Sequence, residues 1–124
     1  MQIGYLADLF DLLNVRDLDI IEQAKEGCEL LIVGVFTDEY AQQLLGYTPV
    51  VPFEERLELV SHVRGLTDVR AHDPHSVDAS WQLFRLTDRN QSDEAGVGLW
   101  LEPRRVTGSD VLTKALNFPD RSVA

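Results

Sequence analysis

The chain has 124 residues, a length typical of a single domain. Its composition, 44% hydrophobic and 26% charged, is that of a globular protein with one core. The formal net charge of -10 repels the phosphate backbone of nucleic acids and therefore argues against a nucleic-acid partner.

Cysteine content and apolar run length bear on redox compartment and membrane insertion. Cys28 is the only cysteine, so no disulfide can form within the chain. The longest apolar run, residues 30–36, is much too short to span a bilayer. A basic segment followed by an apolar stretch, the pattern of a signal peptide, is not found near residue 1. We therefore expect a cytoplasmic protein with no membrane partner.

The first predicted strand and helix follow one another directly. Residues 3–10 are mostly apolar and predict a buried strand. Asp11 and Asn14 are turn and cap formers, and a helix is predicted over residues 17–25. Its inward face is predicted from an apolar repeat at helical spacing: Leu18, Ile21 and Ala24. Gly27 is typical of the end of a helix.

The middle of the chain repeats the alternation of strand and helix. Residues 30–36 are apolar and rich in β-branched side chains, which is typical of a central parallel strand covered on both faces. Helices are predicted over residues 38–45 and 52–65, and a third strand over residues 68–71. Such alternation predicts an α/β fold with a parallel sheet and right-handed crossovers.

The last third of the chain has a less regular pattern. Residues 76–86 fit a helix, and residues 81–86 also fit a strand, so both alternatives stay open. A polar loop is predicted over residues 88–95 and a strand over residues 97–101. A final helix is predicted over residues 109–116, capped by its first polar residues.

Four short segments stand in a recognisable order. They read D-L-F-D-L-L-N-V-R-D over residues 8–17, V-F-T-D-E over residues 35–39, P-V-V-P-F-E-E-R over residues 49–56, and R-V-T-G-S-D over residues 105–110. They resemble the G-x-F-D-L-x-H-x-G-H, V-x-T-D-E, P-x-x-P-x-x-E-R and R-T-x-G-I-S-T-T segments of the cytidylyltransferase-type nucleotidyltransferases. The similarity is greatest to glycerol-3-phosphate cytidylyltransferases.

The resemblance implies both a fold and a reaction. The implied fold is a Rossmann-like, three-layer α/β/α nucleotidyltransferase domain, shortened after the third strand, which we place at residues 1–117 with a tail over residues 118–124. In the implied reaction an acceptor phosphate attacks the α-phosphorus of a nucleoside triphosphate and pyrophosphate leaves. Mg²⁺ travels with the nucleotide, so no metal site or cofactor bound by protein ligands is expected.

The resemblance also implies a set of site residues. Contacts to the nucleotide or its phosphates are assigned to Leu9, Phe10, Asp11, Arg56, Arg64, Arg105 and Gly108. The motif positions at the start of the first helix are assigned to catalysis, and here they hold Asn14, Arg16 and Asp17. In the family, the two histidines donate hydrogen bonds to the phosphates, and the helix N-terminus adds its amides and positive dipole end.

The catalytic motif departs from the family at each of these three positions. Asn14 replaces the first histidine and can still donate a neutral hydrogen bond. Asp17 replaces the second histidine and brings a negative charge to the place of the phosphates. Arg16 replaces the glycine and adds charge together with bulk. We expect these changes to abolish ordinary nucleotidyl transfer, because losing one charge-stabilising donor lowers such rates by about a hundredfold or more.

Three functional hypotheses follow from the sequence. The preferred one is an impaired nucleotidyltransferase that binds at most a nucleotide or a small anion through a cationic cluster of Arg16, Arg56, Arg64 and Arg105. The second is an active enzyme with a non-standard site that transfers a CMP-type group to a phosphorylated small molecule. The third is a non-enzymatic interaction protein, and a homodimer is expected from its relatives.

Several of these residues also suit ordinary structural roles. Asp17 fits a cap or first-turn acid of the helix, worth about 1 kcal/mol of helix stability. Arg56 and Arg64 lie two turns apart on one predicted helix and fit a solvated or ion-paired face. His72 and His75 flank an Asp-Pro pair, which predicts a surface turn rather than a metal site.

Overall fold

A computed structural model of the protein describes residues 1–86 and 98–104. In chain order these residues form β1 (Ile3–Asp8), α1 (Val15–Glu26), β2 (Leu30–Val35), α2 (Asp38–Leu45), α3 (Phe53–Ser61), β3 (Asp68–Ala71), a 3-10 turn (Pro74–Ser76), β4 (Gln82–Leu86) and β5 (Leu99–Leu101). The strands lie side by side in the order β3-β2-β1-β4-β5, and every neighbouring pair is parallel. The predicted α/β fold with a parallel sheet is confirmed.

Each face of the sheet carries its own core, which gives the predicted three layers. Leu6 and Val33 point to the face covered by α1 and α3, where they pack with Ile21 and Val60. Alternate strand residues point to the opposite face, which is covered by α2: Tyr5, Ala7 and Ile32. Because both faces are buried, β1 and β2 have continuous apolar sequences rather than alternating ones.

The observed α1 begins two residues before its predicted start, and it buries two of the three residues predicted to face inward, Ile21 and Ala24. Asn14 is its N-cap, so the helix starts at Val15. The buried residues are Asp17, Ile20, Ile21 and Ala24. The prediction that Leu18 points inward is wrong, because Leu18 is exposed. It lies about 100° around the helix from Asp17, whose carboxylate is turned inward by its capping bonds.

The third helix is shorter than its predicted span of residues 52–65. It ends at Ser61, and bonds from His62 to Leu59 and from Val63 to Val60 tighten the chain into a turn. Gly65 follows with a positive φ of 80°, a conformation that a helix cannot contain. Residue 64, predicted on the helix, therefore lies beyond its end.

Residues 72–86, which follow β3, contain a 3-10 turn and a strand. Residues 82–86 are a strand, so the helical alternative for residues 76–86 is wrong. The link from β3 to β4 contains a 3-10 turn over Pro74–Ser76 and no α-helix, in agreement with the expected shortening. The predicted loop over residues 88–95, the predicted helix over residues 109–116 and the domain end at residue 117 lie outside the described residues.

Within residues 1–86 and 98–104, no helix combines the length and the apolar character needed to cross a membrane.

Candidate functional site

The topology places a site at the carboxyl ends of β1 and β4. The chain passes from β1 to β2 on one side of β1, and it later crosses to β4 on the other side. Ligands of open α/β sheets bind at such a reversal of strand order, outside the carboxyl ends of the strands. Here that position is occupied by residues 9–14 and the first turn of α1.

Asn14 and Asp17 cap the start of α1 reciprocally. The side-chain oxygen of Asn14 accepts hydrogen bonds from the backbone N–H of Arg16 at 2.8 Å and of Asp17 at 3.4 Å. In return, the carboxylate of Asp17 accepts from the backbone N–H of Asn14 at 3.1 Å. This is a complete capping box, so the predicted structural role of both side chains in the helix is confirmed.

The capping box changes what the helix start offers to an anion. A phosphate at a helix N-terminus is held by the first free amides. Here the amides of Arg16 and Asp17 donate to Asn14 instead. The Asp17 carboxylate is buried at the same place, and the Arg16 guanidinium lies 4.0 Å from it. The side chains of Asn14 and Asp17 therefore supply hydrogen-bond acceptors and negative charge where an anion would bind.

Leu9 and Phe10 lie in the two cores on opposite sides of the sheet. Leu9 packs on the α2 side, whereas Phe10 packs on the α1 side. Both side chains are buried, and Phe10 has a positive φ of 56°. Each residue is buried as a whole, and the Leu9 carbonyl oxygen accepts from Arg56 at 2.8 Å, so the residues assigned to ligand contact here serve the core.

Asp11 joins two loops at this edge of the sheet. Its carboxylate accepts from the backbone N–H of Val50 and of Val51, each at 2.9 Å. Asp11 belongs to the loop after β1, and Val50 belongs to the loop before α3. The Asp11 carboxylate, which was predicted to contact a ligand, thus binds the loop before α3 to the loop after β1.

Arg56 is fully buried and binds the backbone from inside. Its guanidinium donates to three carbonyl oxygens, at 2.8, 2.8 and 2.7 Å: those of Val51, Leu9 and Phe36. A fourth donor forms an ion pair with the Asp38 carboxylate at 2.7 Å. Arg56 therefore positions the ends of β1 and β2. Of the two structural alternatives predicted for this arginine, the solvated one is wrong and the ion-paired one is confirmed by Asp38.

Arg64, a further member of the predicted cationic cluster, does not join Arg56 at this edge. The carbonyl oxygen of Arg64 accepts from Lys25, in the last turn of α1, at 3.3 Å. α1 has 12 residues and rises about 18 Å, so Arg64 lies near the opposite edge of the sheet. The predicted cluster is thus incorrect for Arg64, because α3 begins at the carboxyl edge of the sheet and runs away from it. Arg105 and Gly108 lie outside the described residues.

Asp38 is a site residue that the sequence analysis did not assign. Its second oxygen accepts from the backbone N–H of Phe53, the first residue of α3, at 3.4 Å. The start of α2 is capped in the same way by Thr37, which accepts from Tyr40. Asp38 is part of the V-F-T-D-E segment, which was the available signal. All three described α-helices thus begin at this edge with a bond to one of the chain's own side chains.

His72 is a second residue whose surroundings differ from the prediction. The surface turn predicted around it is wrong at this position, because His72 is buried and its Nδ1 lies 2.6 Å from the Tyr5 hydroxyl.

Among the residues that the structure covers, no three His, Cys, Asp or Glu side chains are grouped so that they could hold a metal ion.

The fold and the site together define a class of protein. A parallel sheet of order β3-β2-β1-β4-β5, with a helix start at the end of β1 as its candidate site, is a Rossmann-like nucleotidyltransferase fold. The family model described as Cytidylyltransferase-like matches residues 9–114. The chain belongs to the cytidylyltransferase-like family.

Known proteins similar to this chain include two kinds of curated relative. FAD synthase of Thermococcus kodakarensis is 33% identical over 90 residues, which are 73% of this chain and 57% of that protein. Bifunctional protein HldE of Gluconacetobacter diazotrophicus is 27% identical over 116 residues, which are 93% of this chain and 23% of that protein. The chain spans less than two thirds of each of these relatives.

A solved structure supports the fold independently. The crystal structure of the lipopolysaccharide core biosynthesis protein from Thermoplasma volcanium matches with a TM-score of 0.68. The match covers 86% of this chain and 99% of that chain, at 15% sequence identity. At this identity the likeness concerns the fold alone.

Proposed function

We propose that this chain is a cytidylyltransferase-like protein that does not perform ordinary nucleotidyl transfer and binds at most a nucleotide or a small anion. The observation that carries this proposal is the capping box of Asn14 and Asp17. Asn14 and Asp17 stand at the family's two histidine positions. Each side chain accepts a hydrogen bond from the backbone N–H of the other residue, and Asn14 also accepts from Arg16. They present no imidazole donors, and they occupy the backbone amides of Asn14, Arg16 and Asp17.

The charges at this edge favour the same conclusion. Nucleotidyl transfer depends on positioning the phosphates and stabilising their negative charge, with little covalent chemistry left to the protein. The buried carboxylate of Asp17 opposes a triphosphate at the helix start. The buried guanidinium of Arg56 is directed to carbonyl oxygens and Asp38. Arg16 is the described cation that stays close to the helix start, and it lies beside Asp17.

An active enzyme with a non-standard site is the second candidate, and Arg16 is the observation that favours it. An arginine guanidinium can bind a phosphate group in a bidentate manner, through two parallel hydrogen bonds. In that case Mg²⁺ would arrive with the nucleotide, and the acceptor would be a phosphorylated small molecule. The relatives carry different names, FAD synthase and HldE, so neither the nucleotide nor the acceptor is selected by similarity.

A turnover assay separates the two candidates. The full chain is incubated with CTP or ATP, Mg²⁺ and phosphorylated acceptors such as glycerol 3-phosphate, and the release of pyrophosphate is measured. We expect a rate equal to that of the protein-free blank. Turnover that disappears in the Arg16→Ala variant would establish the active enzyme and refute the proposal.

A binding assay then tests what remains of the site. A ligand that binds only the native state must raise the melting temperature by mass action. Titration with CTP, ATP or inorganic phosphate therefore reports any residual binding of a nucleotide or a small anion. A homodimer and a cytoplasmic location stay predictions, and sedimentation of the purified chain measures the first.

A further inference from the structure

Apolar side chains are exposed around the mouth of the candidate site. Leu12 is 60% exposed, Val15 is 44% exposed and Val50 is 75% exposed. Leu18, one helical turn beyond Val15, is also exposed. We call Leu12, Val15 and Val50 the apolar rim. Single exposed apolar residues are ordinary on protein surfaces, so the argument depends on whether the fold holds these three together.

The segments that carry the apolar rim are joined by hydrogen bonds between the backbone and the side chains of Asp11 and Asn14. Leu12 follows Asp11, whose carboxylate binds the N–H of Val50 at 2.9 Å. On its other side, the carbonyl oxygen of Leu12 accepts from the side chain of Asn14, the residue before Val15. Two loops and the start of α1 are thus joined, and each presents one exposed apolar side chain.

Leu12 is held in a strained conformation. Its φ is 54°, in the left-handed region that costs an ordinary side chain roughly 1–2 kcal/mol. The neighbouring bonds of Asp11 and Asn14 keep the backbone in this state. Strained backbone conformations are found most often at functional sites, and here the strained residue is Leu12, whose side chain is exposed to solvent.

Among the described residues that follow Val50, the exposed charge beside the apolar rim is negative, and Arg16, next to Val15, is mostly buried beside Asp17. Glu54 and Glu55 are exposed in the first turn of α3, directly after the loop of Val50. The full chain carries a formal net charge of -10. A second copy facing this surface about a two-fold axis would oppose its own glutamates, whereas lysines and arginines would be attracted.

We propose that the apolar rim is a docking surface for a partner protein segment that presents apolar side chains flanked by lysine or arginine. Three side chains make a small surface, so the contact is of the transient kind. The partner's apolar residues pack against Leu12, Val15 and Val50, and its cations face Glu54 and Glu55. The inference concerns the surface around the site and holds whether or not the pocket turns over a nucleotide.

The test uses a fluorescent amphipathic helical peptide made of leucine and lysine, titrated with the full chain and followed by anisotropy. A Leu12→Ser/Val50→Ser variant removes two members of the rim. We expect its dissociation constant to rise about tenfold, which corresponds to losing two modest contact residues. Leu59→Ser is the matched control, because Leu59 is 47% exposed on the last part of α3. It should bind as the native chain does.

The contribution of charge is measured with the same peptide. Glu54→Gln/Glu55→Gln should weaken binding and reduce its dependence on salt, whereas a leucine and glutamate peptide should not bind. Melting temperatures of all variants establish that each one is folded.

Three outcomes would overturn the proposal. One is that no leucine and lysine peptide binds. Another is that the rim variant and Leu59→Ser bind as well as the native chain, since this would reveal general attraction to an acidic protein. The last is that the native chain self-associates and Leu12→Ser/Val50→Ser abolishes this, which would make a second copy the occupant. None of these results depends on the pyrophosphate assay.

Discussion

The hydroxyl of Tyr5 lies 2.6 Å from Nδ1 of His72, in the core between the sheet and α2. Tyr5 comes from β1, whereas His72 directly follows β3, two strands away. Phe36 and Tyr40 pack around the same imidazole, with ring centroids 5.4 and 5.0 Å away. This buried polar pair joins the central strand to an edge of the sheet.

Removing the hydroxyl of Tyr5 tests how much the pair of Tyr5 and His72 contributes to the free energy of unfolding. Tyr5→Phe keeps the ring and its stacking on Trp81 but loses the bond to His72. We expect the free energy of unfolding to fall by about 1 kcal/mol, the usual net worth of a buried hydrogen bond. Urea unfolding measures the change. Tyr47→Phe is the control, because Tyr47 is exposed and its hydroxyl removal should leave stability unchanged.

Gly34 of β2 is required by the same tyrosine. A Cβ atom at residue 34 would overlap the Tyr5 hydroxyl and ring, which are held in the core. We expect Gly34→Ala to lower the free energy of unfolding by about 1–3 kcal/mol, as overpacking does. In the Tyr5→Phe background the loss should be smaller, since part of the overlap is gone. An equal loss in both backgrounds would show that the hydroxyl is not the obstacle.

Arg56 makes the strongest stability prediction. Arg56→Met removes the donors for three carbonyl oxygens and leaves the Asp38 carboxylate without this ion pair. Because Asp38 is 36% exposed and stays solvated, the main loss comes from the carbonyl oxygens of Leu9 and Phe36, each left buried without its donor at a cost of about 1–3 kcal/mol. Urea unfolding should therefore show a large loss. Arg70→Met is the control, because Arg70 is exposed and its ion pair with Asp68 is a surface one, worth about 1 kcal/mol or less.

Arg56 and His72 show why local sequence patterns did not predict the interior. The continuous apolar run at residues 30–36 matches β2 closely. A strand that is buried on both faces can be recognised from its local composition alone. The partners of Arg56 come from three separate segments, so only the assembled fold reveals them. His72 precedes Asp-Pro-His, which looks like a surface turn, yet it packs on Tyr5 from β1.

The pair of Asp19 and Arg104 fastens the end of β5 to α1 and depends on pH. The pKa of Asp19 lies below its ordinary value of 3.8, first because the backbone N–H of Arg104 donates to its carboxylate, and further because of the Arg104 guanidinium. A lowered pKa stabilises the folded state above the ordinary value, and this stability is lost as the pH falls through the folded value.

Asp19→Asn should therefore be less stable than the native chain at pH 7, by about 1 kcal/mol or less since Arg104 is half exposed. The difference should shrink as the pH falls below 3.8. Urea unfolding at several pH values measures it. In Arg104→Ala the difference should be reduced but kept in part, because the backbone donor remains. A difference that grows toward low pH would contradict this assignment.

The capping box predicts a trade between helix stability and phosphate binding. Asn14→His/Arg16→Gly/Asp17→His restores the family's motif and removes both capping side chains. We expect a melting temperature about 5 °C lower, since losing the cap costs about 1 kcal/mol. CTP or ATP with Mg²⁺ should then raise the melting temperature of this variant more than that of the native chain, because the freed amides and the two imidazoles donate hydrogen bonds to the phosphates.

Asn14→Ala/Arg16→Gly/Asp17→Ala is the matched control for that variant, because it differs from it only by lacking the two imidazoles. It also empties the cap, so its melting temperature should fall by a similar amount, but it gains no imidazole and should respond less to the nucleotide. Two results would contradict the reasoning. If the native chain responds to the nucleotide as strongly as the restored variant, the capping box does not close the site. If the restored and the alanine variants respond alike, the freed amides rather than the imidazoles hold the phosphate.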